Sequence, residues 1–210
     1  MKFNMIPLLH NSSVTGVKVC GLRSEELVDI AVGAGADAIG FMFVKKSPRY
    51  LQRHDAEQLL LQLPEEVLGV AVVQNYKNLS DFSDWNGWLQ LCGEEDEETV
   101  ASAPRPVIRA LKWDEKEVIR WNNCPNIEAL LIDGSTGGLG ESFDVSTLAN
   151  MIPTLTKPII IAGGLSAKNV AEVITQAKPA AVDVSSGIES TLGNKDPQLL
   201  CDFINAVKSA

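Results

Sequence analysis

Lys18 and Cys20 stand two residues apart in the first strong apolar run, Val17-Lys18-Val19-Cys20-Gly21, and a helical segment opens at Ser24. Alternate side chains of a strand share a face, so the amine and the thiol point the same way. If this run is the first strand of a parallel β/α barrel, Cys20 lies at its carboxyl end, where such barrels carry their chemistry. A thiol there can act as a base or nucleophile. An ordinary thiol, with a pKa of about 8.5, is only a few per cent ionised near pH 7, and a neighbouring cation raises that fraction. Residue type alone favours a plainer role, because free cysteine commonly packs as a small apolar group. The rest of the chain shifts the balance.

A second set of residues points to an anion. Ile161-Ala162-Gly163-Gly164-Leu165-Ser166 and Asp183-Val184-Ser185-Ser186-Gly187-Ile188-Glu189 each follow a β-rich run, and the first leads into a helical pattern expected to start near Ala167. Glycines let backbone N–H groups approach an anion, and a helix N-terminus presents unpaired donors. One glycine pair would ordinarily be a turn. Two small-residue loops after the seventh and eighth strands match the usual phosphate site of a β/α barrel, so Gly163, Gly164, Ser185, Ser186 and Gly187 are candidate phosphate-binding residues.

The elements that must position these groups recur along the chain. Apolar runs at Val17–Cys20, Ala38–Phe43, Val67–Val73, Trp88–Leu91, Val107–Leu111, Ala129–Ile132, Pro158–Ile161 and Ala181–Val184 alternate with helical spacing, as at Glu25–Val32, Ala56–Leu63, Asn169–Gln176 and Gln198–Val207. About eight strand–helix units predict a minimal (β/α)8 TIM barrel over residues 17–210, preceded by a loose N-terminal extension over 1–16. Asp133 closes the sixth run and opens the glycine-rich stretch Gly134–Gly140, which reads as a mobile loop over the active-site face. Barrel closure brings strand eight beside strand one, so Asp183 is expected to pair with Lys18, fixing the pocket floor and biasing Cys20 toward thiolate. A purely structural ion pair is the equal alternative.

Composition narrows the classes. With 210 residues, 45% hydrophobic, one core is expected, and a net charge of −9 argues against a general nucleic-acid or anionic-membrane surface. Four cysteines without a CxxC pair and two histidines, His10 and His54, form neither a disulfide framework nor a zinc site, and suit a reducing, cytoplasmic setting. Met1–Ser13 is too short in apolar content for a signal or a membrane span. The acidic run Glu94–Glu98 reads as the solvated first turn of a helix.

Taken together, VKVCGL at 17–22, GADAIGFMFVKKSPRYL at 35–51, LQLCGEE at 89–95, LLIDG at 130–134, GGLGESFD at 137–144, IIIAGGL at 159–165 and VDVSSGIES at 182–190 resemble phosphoribosylanthranilate isomerases in order and spacing. That resemblance implies an Amadori rearrangement in tryptophan biosynthesis, with no metal or organic cofactor, a small phosphosugar substrate and a monomeric default. It also implies that Cys20 is the base and Asp133 the acid, and that Arg49, in the Lys46-Ser47-Pro48-Arg49-Tyr50 turn, grips the substrate carboxylate in a two-pronged contact. To act as an acid, Asp133 needs a desolvating or anionic environment, whereas an aspartate beside glycine commonly only supports a turn. Lys45 and Lys46 are expected to be solvated.

Three departures stand out. Cys92 occupies the histidine position of the family's QLHG, Glu141 stands where the glycine loop commonly carries lysine, and the stretch after strand three, Gly69-Val70-Ala71-Val72-Val73-Gln74-Asn75, lacks the usual phenylalanine. Related phosphosugar barrels fit less well, since paired aspartates on strands one and five and metal-ligating histidines are both missing. A binding or regulatory barrel without turnover is the alternative from another class.

Overall fold

The computed structural model describes residues 14–134 and 145–210. The expectations for Met1–Ser13, for the glycine loop beyond Gly134 and for Glu141 lie outside the described residues.

Eight parallel strands close in sequential order into a barrel: β1 (Gly16–Cys20), β2 (Ala38–Met42), β3 (Leu68–Val73), β4 (Trp88–Leu91), β5 (Val107–Lys112), β6 (Ala129–Asp133), β7 (Ile159–Ala162) and β8 (Ala181–Val184). The β1–β8 pairing completes the cylinder with Lys18 opposite Asp183. Strand alternation sorts the core into two layers. Val17, Val19, Ile39, Phe41, Leu89 and Leu91 pack outward against the helices, while Ala38, Val70, Trp88, Ile108, Leu131 and Ile160 fill the interior. Polar groups interrupt that interior at Lys18, Gln90 and Asp183, all buried.

Local chemistry sets the helix ends. In α1 (Glu25–Ala34), Ser24 accepts the Leu27 N–H, Glu25 and Glu26 occupy the positive first turn, and Gly35 closes the helix at φ 100°. α2 spans Arg53–Leu61, α3 Glu97–Ala101, α4 Glu115–Asn122, α5 Val145–Met151 and α6 Val170–Ala177. In α7 (Pro197–Lys208), Asp196 accepts from Gln198 and Leu199, and Pro197 needs no N–H partner in the first turn.

Two expectations change. The β3–β4 connection is a single 3-10 turn, Leu79–Phe82, so one of the eight units lacks its α-helix. Phe43, Phe82 and Trp85 meet edge-to-face there and cover the barrel wall in its place. The acidic run is also not uniformly solvated. Asp96 caps α3, but Glu95 is buried, 2.7 Å from Arg109 Nη1, and it accepts the Asn75 and Gly93 N–H groups. Arg109 stacks on Trp121, 4.6 Å from the ring centroid.

After β8 the chain makes a short antiparallel hairpin, β9 (Glu189–Thr191) and β10 (Asn194–Lys195). Among the described residues, no helix is long and apolar enough to cross a membrane.

Candidate active site

A cavity of about 430 Å³ opens at the carboxyl ends of the strands, and its lining includes Cys20, Arg49, Asp133, Gly163, Gly164, Asp183, Ser185, Ser186 and Gly187, every site residue expected from the sequence. A larger cavity, about 840 Å³, lies at the amino end, between the segments at residues 152–159 and 174–180 and the end of α7, and contains none of them. The chemistry-bearing side chains are gathered at the mouth where parallel barrels carry their sites.

The floor is the buried ion pair between Lys18 Nζ and Asp183 Oδ1 at 2.7 Å. Cys20 stands one step above, opposite Gly40 in register. A Cβ on Gly40 would lie 2.9 Å from Cys20 Sγ and 3.2 Å from Lys18 Nζ, so the missing side chain leaves room for both groups. Burial works against the Lys18 ammonium, but the Asp183 charge and hydrogen bond outweigh it and hold the amine above its ordinary pKa. At Cys20 the balance runs the other way. Burial pushes the thiol up, Lys18 is the strongest group drawing it down, and the net direction is up. The expected bias toward thiolate is therefore real for Lys18 alone and is overcome by desolvation.

Asp133 sits on the last residue of β6, opposite Lys112 on one side and Ala162 on the other. Its backbone carbonyl accepts the Trp113 N–H, and the next residue's N–H donates to Ala162 O at 2.9 Å, so the strand end is fixed on both flanks. Burial pushes the Asp183 carboxyl up, Lys18 opposes that, and the Asp133 charge adds a further upward push.

Arg49 does make a two-pronged carboxylate contact, but to the protein's own Glu189, with Nε 2.6 Å from Oε1 and Nη2 2.8 Å from Oε2. Its side chain lies across Gly21, whose φ of 84° and lack of a Cβ let the arginine pass beside the Cys20 strand end. Lys45 and Lys46 are exposed, as expected.

The two glycine loops form one cup. Gly163 and Gly164 adopt φ of 93° and 65°, and a Cβ on Gly187 would come within 1.8 Å of Leu165 O. The N–H groups of Gly164, Ser186 and Gly187 donate to no other described residue, leaving donors for an anion. α6 starts at Val170 instead of Ala167, because Asn169 first closes a turn by accepting the Ser166 N–H and donating to Gly164 O.

Cys92 lines the same cavity. Burial pushes its thiol up to about 12, and Gln90 Nε2 donates to Sγ at 3.2 Å. Gln90 Oε1 is buried without a partner among the described residues. Sequence reasoning assigned no role to Gln90, Lys112, Glu189 or Lys195. Gln90 and Lys112 could have been found from strand parity. Glu189 lies inside a motif already singled out, whereas Lys195 carried no local signal.

Comparison with known proteins settles the family. The family model described as N-(5'-phosphoribosyl)anthranilate (PRA) isomerase matches residues 17–206. The chain belongs to the phosphoribosylanthranilate isomerase family. An N-(5'-phosphoribosyl)anthranilate isomerase of Marinomonas sp. (strain MWYL1) is 38% identical over 205 residues, covering 91% of this chain and 97% of the relative. The phosphoribosylanthranilate isomerase crystal structure from Thermotoga maritima superposes with a TM-score of 0.83 at 33% identity, covering 93% of this chain and 99% of that one. A further isomerase structure, in complex with reduced 1-(O-carboxyphenylamino)-1-deoxyribulose 5-phosphate, has a TM-score of 0.80 at 32% identity over 93% of this chain and 99% of that one.

Proposed function

We propose that Cys20 and Asp133 are the base and acid with which this chain performs the isomerisation of its family in tryptophan biosynthesis, converting N-(5-phosphoribosyl)anthranilate to 1-(2-carboxyphenylamino)-1-deoxyribulose 5-phosphate. The observation that carries the assignment is that both groups line one cavity with a two-loop glycine cup beside them. Asp133 protonates the furanose ring oxygen, which opens the ring to a protonated Schiff base. Cys20, as thiolate, takes the proton from the 2′ carbon, and the resulting enamine tautomerises to the amino-ketose. The backbone donors of residues 163–164 and 186–187 hold the phosphate, which lets an acidic protein bind an anionic substrate through local dipoles. Arg49, which lines the same cavity, takes the anthranilate carboxylate with the donors that its contact with Glu189 leaves. No cofactor is needed for these proton transfers. A cytoplasmic monomer fits the cysteine content and the single barrel, and size-exclusion chromatography with light scattering tests the monomer.

The deciding experiment supplies anthranilate, phosphoribosyl pyrophosphate and the preceding transferase, then follows the loss of phosphoribosylanthranilate fluorescence. Turnover that collapses in both Cys20→Ala and Asp133→Ala supports the pair. Wild-type protein that is stabilised by inorganic phosphate without turning over is a binder, and the reading fails.

A further inference from the structure

In the proposed reaction the loop after β8 serves only as a phosphate cup, and the hairpin that follows it has no task. Lys195, on β10, turns back into the barrel mouth with its side chain 1% exposed. Its Nζ reaches three oxygens: Ser185 O at 2.8 Å, Ser185 Oγ at 3.2 Å and Glu189 Oε1 at 2.9 Å. Those three contacts occupy the three ammonium protons. Ser185 Oγ in turn donates to the Cys20 carbonyl at 3.2 Å. A continuous chain therefore runs from Lys195 through the phosphate loop to the end of the catalytic strand.

The charges divide unevenly. Lys18 and Asp183 form a balanced pair beneath Cys20. Glu189, by contrast, serves two cations at once, Arg49 and Lys195, and also accepts the Gly193 N–H at 3.1 Å. That triad carries one surplus positive charge. The groups facing Cys20 are Lys18 on its own strand, Asp183 on β8, Arg49 after β2, Cys92 just after β4 and Lys195 on β10, with Asp133 on β6 acting on Asp183 and Lys112 at the end of β5 lining the same cavity. Lys18 and Asp183 cancel one another, so the positive excess among the groups that act directly on Cys20 comes from the triad.

We propose that Lys195 is a positioning residue for the isomerisation, locking Ser185 to the Cys20 strand end and supplying, with Arg49, the surplus positive charge that stabilises the Cys20 thiolate. This rests on the proposed role of Cys20, but the ionisation it concerns can be read without turnover. Burial lowers the affinity of Lys195 for its proton and Glu189 restores part of it. The Lys195 charge draws the Cys20 thiol down against the effects of burial and of Asp183.

Two substitutions with opposite electrostatic signs separate this role from a merely structural tie. Lys195→Met removes a cation and leaves Glu189 held by Arg49. Glu189→Gln removes the anion and leaves two cations. Both cut the hairpin's anchorage. The measurement is the rate of Cys20 alkylation by iodoacetamide against pH, with the site resolved by peptide mass spectrometry. The expected result is a midpoint raised by about one pH unit in Lys195→Met and lowered in Glu189→Gln, a unit being tenfold in thiolate at fixed pH. The inflection of the kcat–pH profile that reports Cys20 ionisation moves with it in Lys195→Met, with a smaller change in KM. Midpoints that stay put, or that move in the same direction in both variants, overturn the proposal and leave Lys195 as a hairpin tie. If Lys195→Met does not fold, an unmoved midpoint in Glu189→Gln overturns it alone. Opposite shifts in a protein without turnover uphold the electrostatic role and sink the assigned chemistry instead.

Discussion

Lys18 Nζ and Asp183 Oδ1 meet at 2.7 Å across the β1–β8 seam, the pairing that closes the barrel. Lys18 is wholly buried and Asp183 nearly so. Two charges inside a barrel cost desolvation that their attraction only partly repays, but removing one partner strands the other. Lys18→Met is therefore expected to cost about 3–5 kcal/mol, and Lys18→Met combined with Asp183→Leu to recover most of that loss. Guanidinium unfolding of the three proteins measures it. A single variant as stable as wild type would show that Asp183 is already protonated in the folded state.

The same pair bears on Cys20. Burial holds its thiol above the ordinary value, so the thiolate fraction near neutrality is below that of free cysteine and grows as pH rises. Alkylation of Cys20 is expected to be slower than that of free cysteine at pH 7, with a midpoint above about 8.5. Lys18→Met, which removes the strongest opposing charge, should raise that midpoint further. A wild-type midpoint below 7 would mean that desolvation is not the dominant influence at this site.

The phosphate cup makes a geometric prediction. Gly187→Ala places a methyl group 1.8 Å from Leu165 O, so one of the two loops must move. Gly164 has open space around its Cα but a φ of 65°, where an L-residue is strained by roughly 1–2 kcal/mol. Gly187→Ala should raise KM about tenfold or more, a loss of about 1.4 kcal/mol in binding, and weaken thermal stabilisation by inorganic phosphate. Gly164→Ala should mainly lower the melting temperature. Phosphate stabilisation left intact in Gly187→Ala would place the anion elsewhere.

How far these features could be read beforehand depended on their range along the chain. The barrel was legible because its strands are buried on both faces and stand out as apolar runs, with Val17–Cys20 and Trp88–Leu91 ending where expected. Lys18, Cys20 and Asp183 followed from strand parity and closure. The 3-10 turn at Leu79–Phe82 was not legible, because an aromatic cluster assembled from three separate segments replaces the helix. Glu95 looked like one acid among several until Arg109, fourteen residues on, turned out to fold back onto it. Arg49 was foreseen as a carboxylate clamp, and its partnership with Glu189, across 140 residues, needed coordinates. Type and spacing reveal a local role, whereas a pairing between distant segments appears only when the barrel closes.

Glu189 offers the last prediction, on acid stability. Burial alone would raise its pKa, but the hydrogen bonds from Arg49, Lys195 and the Gly193 N–H outweigh that and hold the carboxyl down to about 2, from an ordinary 4.5. A carboxyl with a lower pKa in the folded state than in the unfolded chain binds fewer protons when folded, so it stabilises the fold above the unfolded value. That contribution is complete above about pH 5 and fades as the pH falls from 4.5 toward 2. Glu189→Gln cannot titrate and cannot lose it. The gap in melting temperature between wild type and Glu189→Gln should therefore be widest near pH 6 and narrow steadily below pH 4.5. A gap that stays constant down to pH 2.5 would mean that Glu189 has the same proton affinity folded and unfolded, and that the carboxylate shared by Arg49 and Lys195 adds no charge-dependent stability.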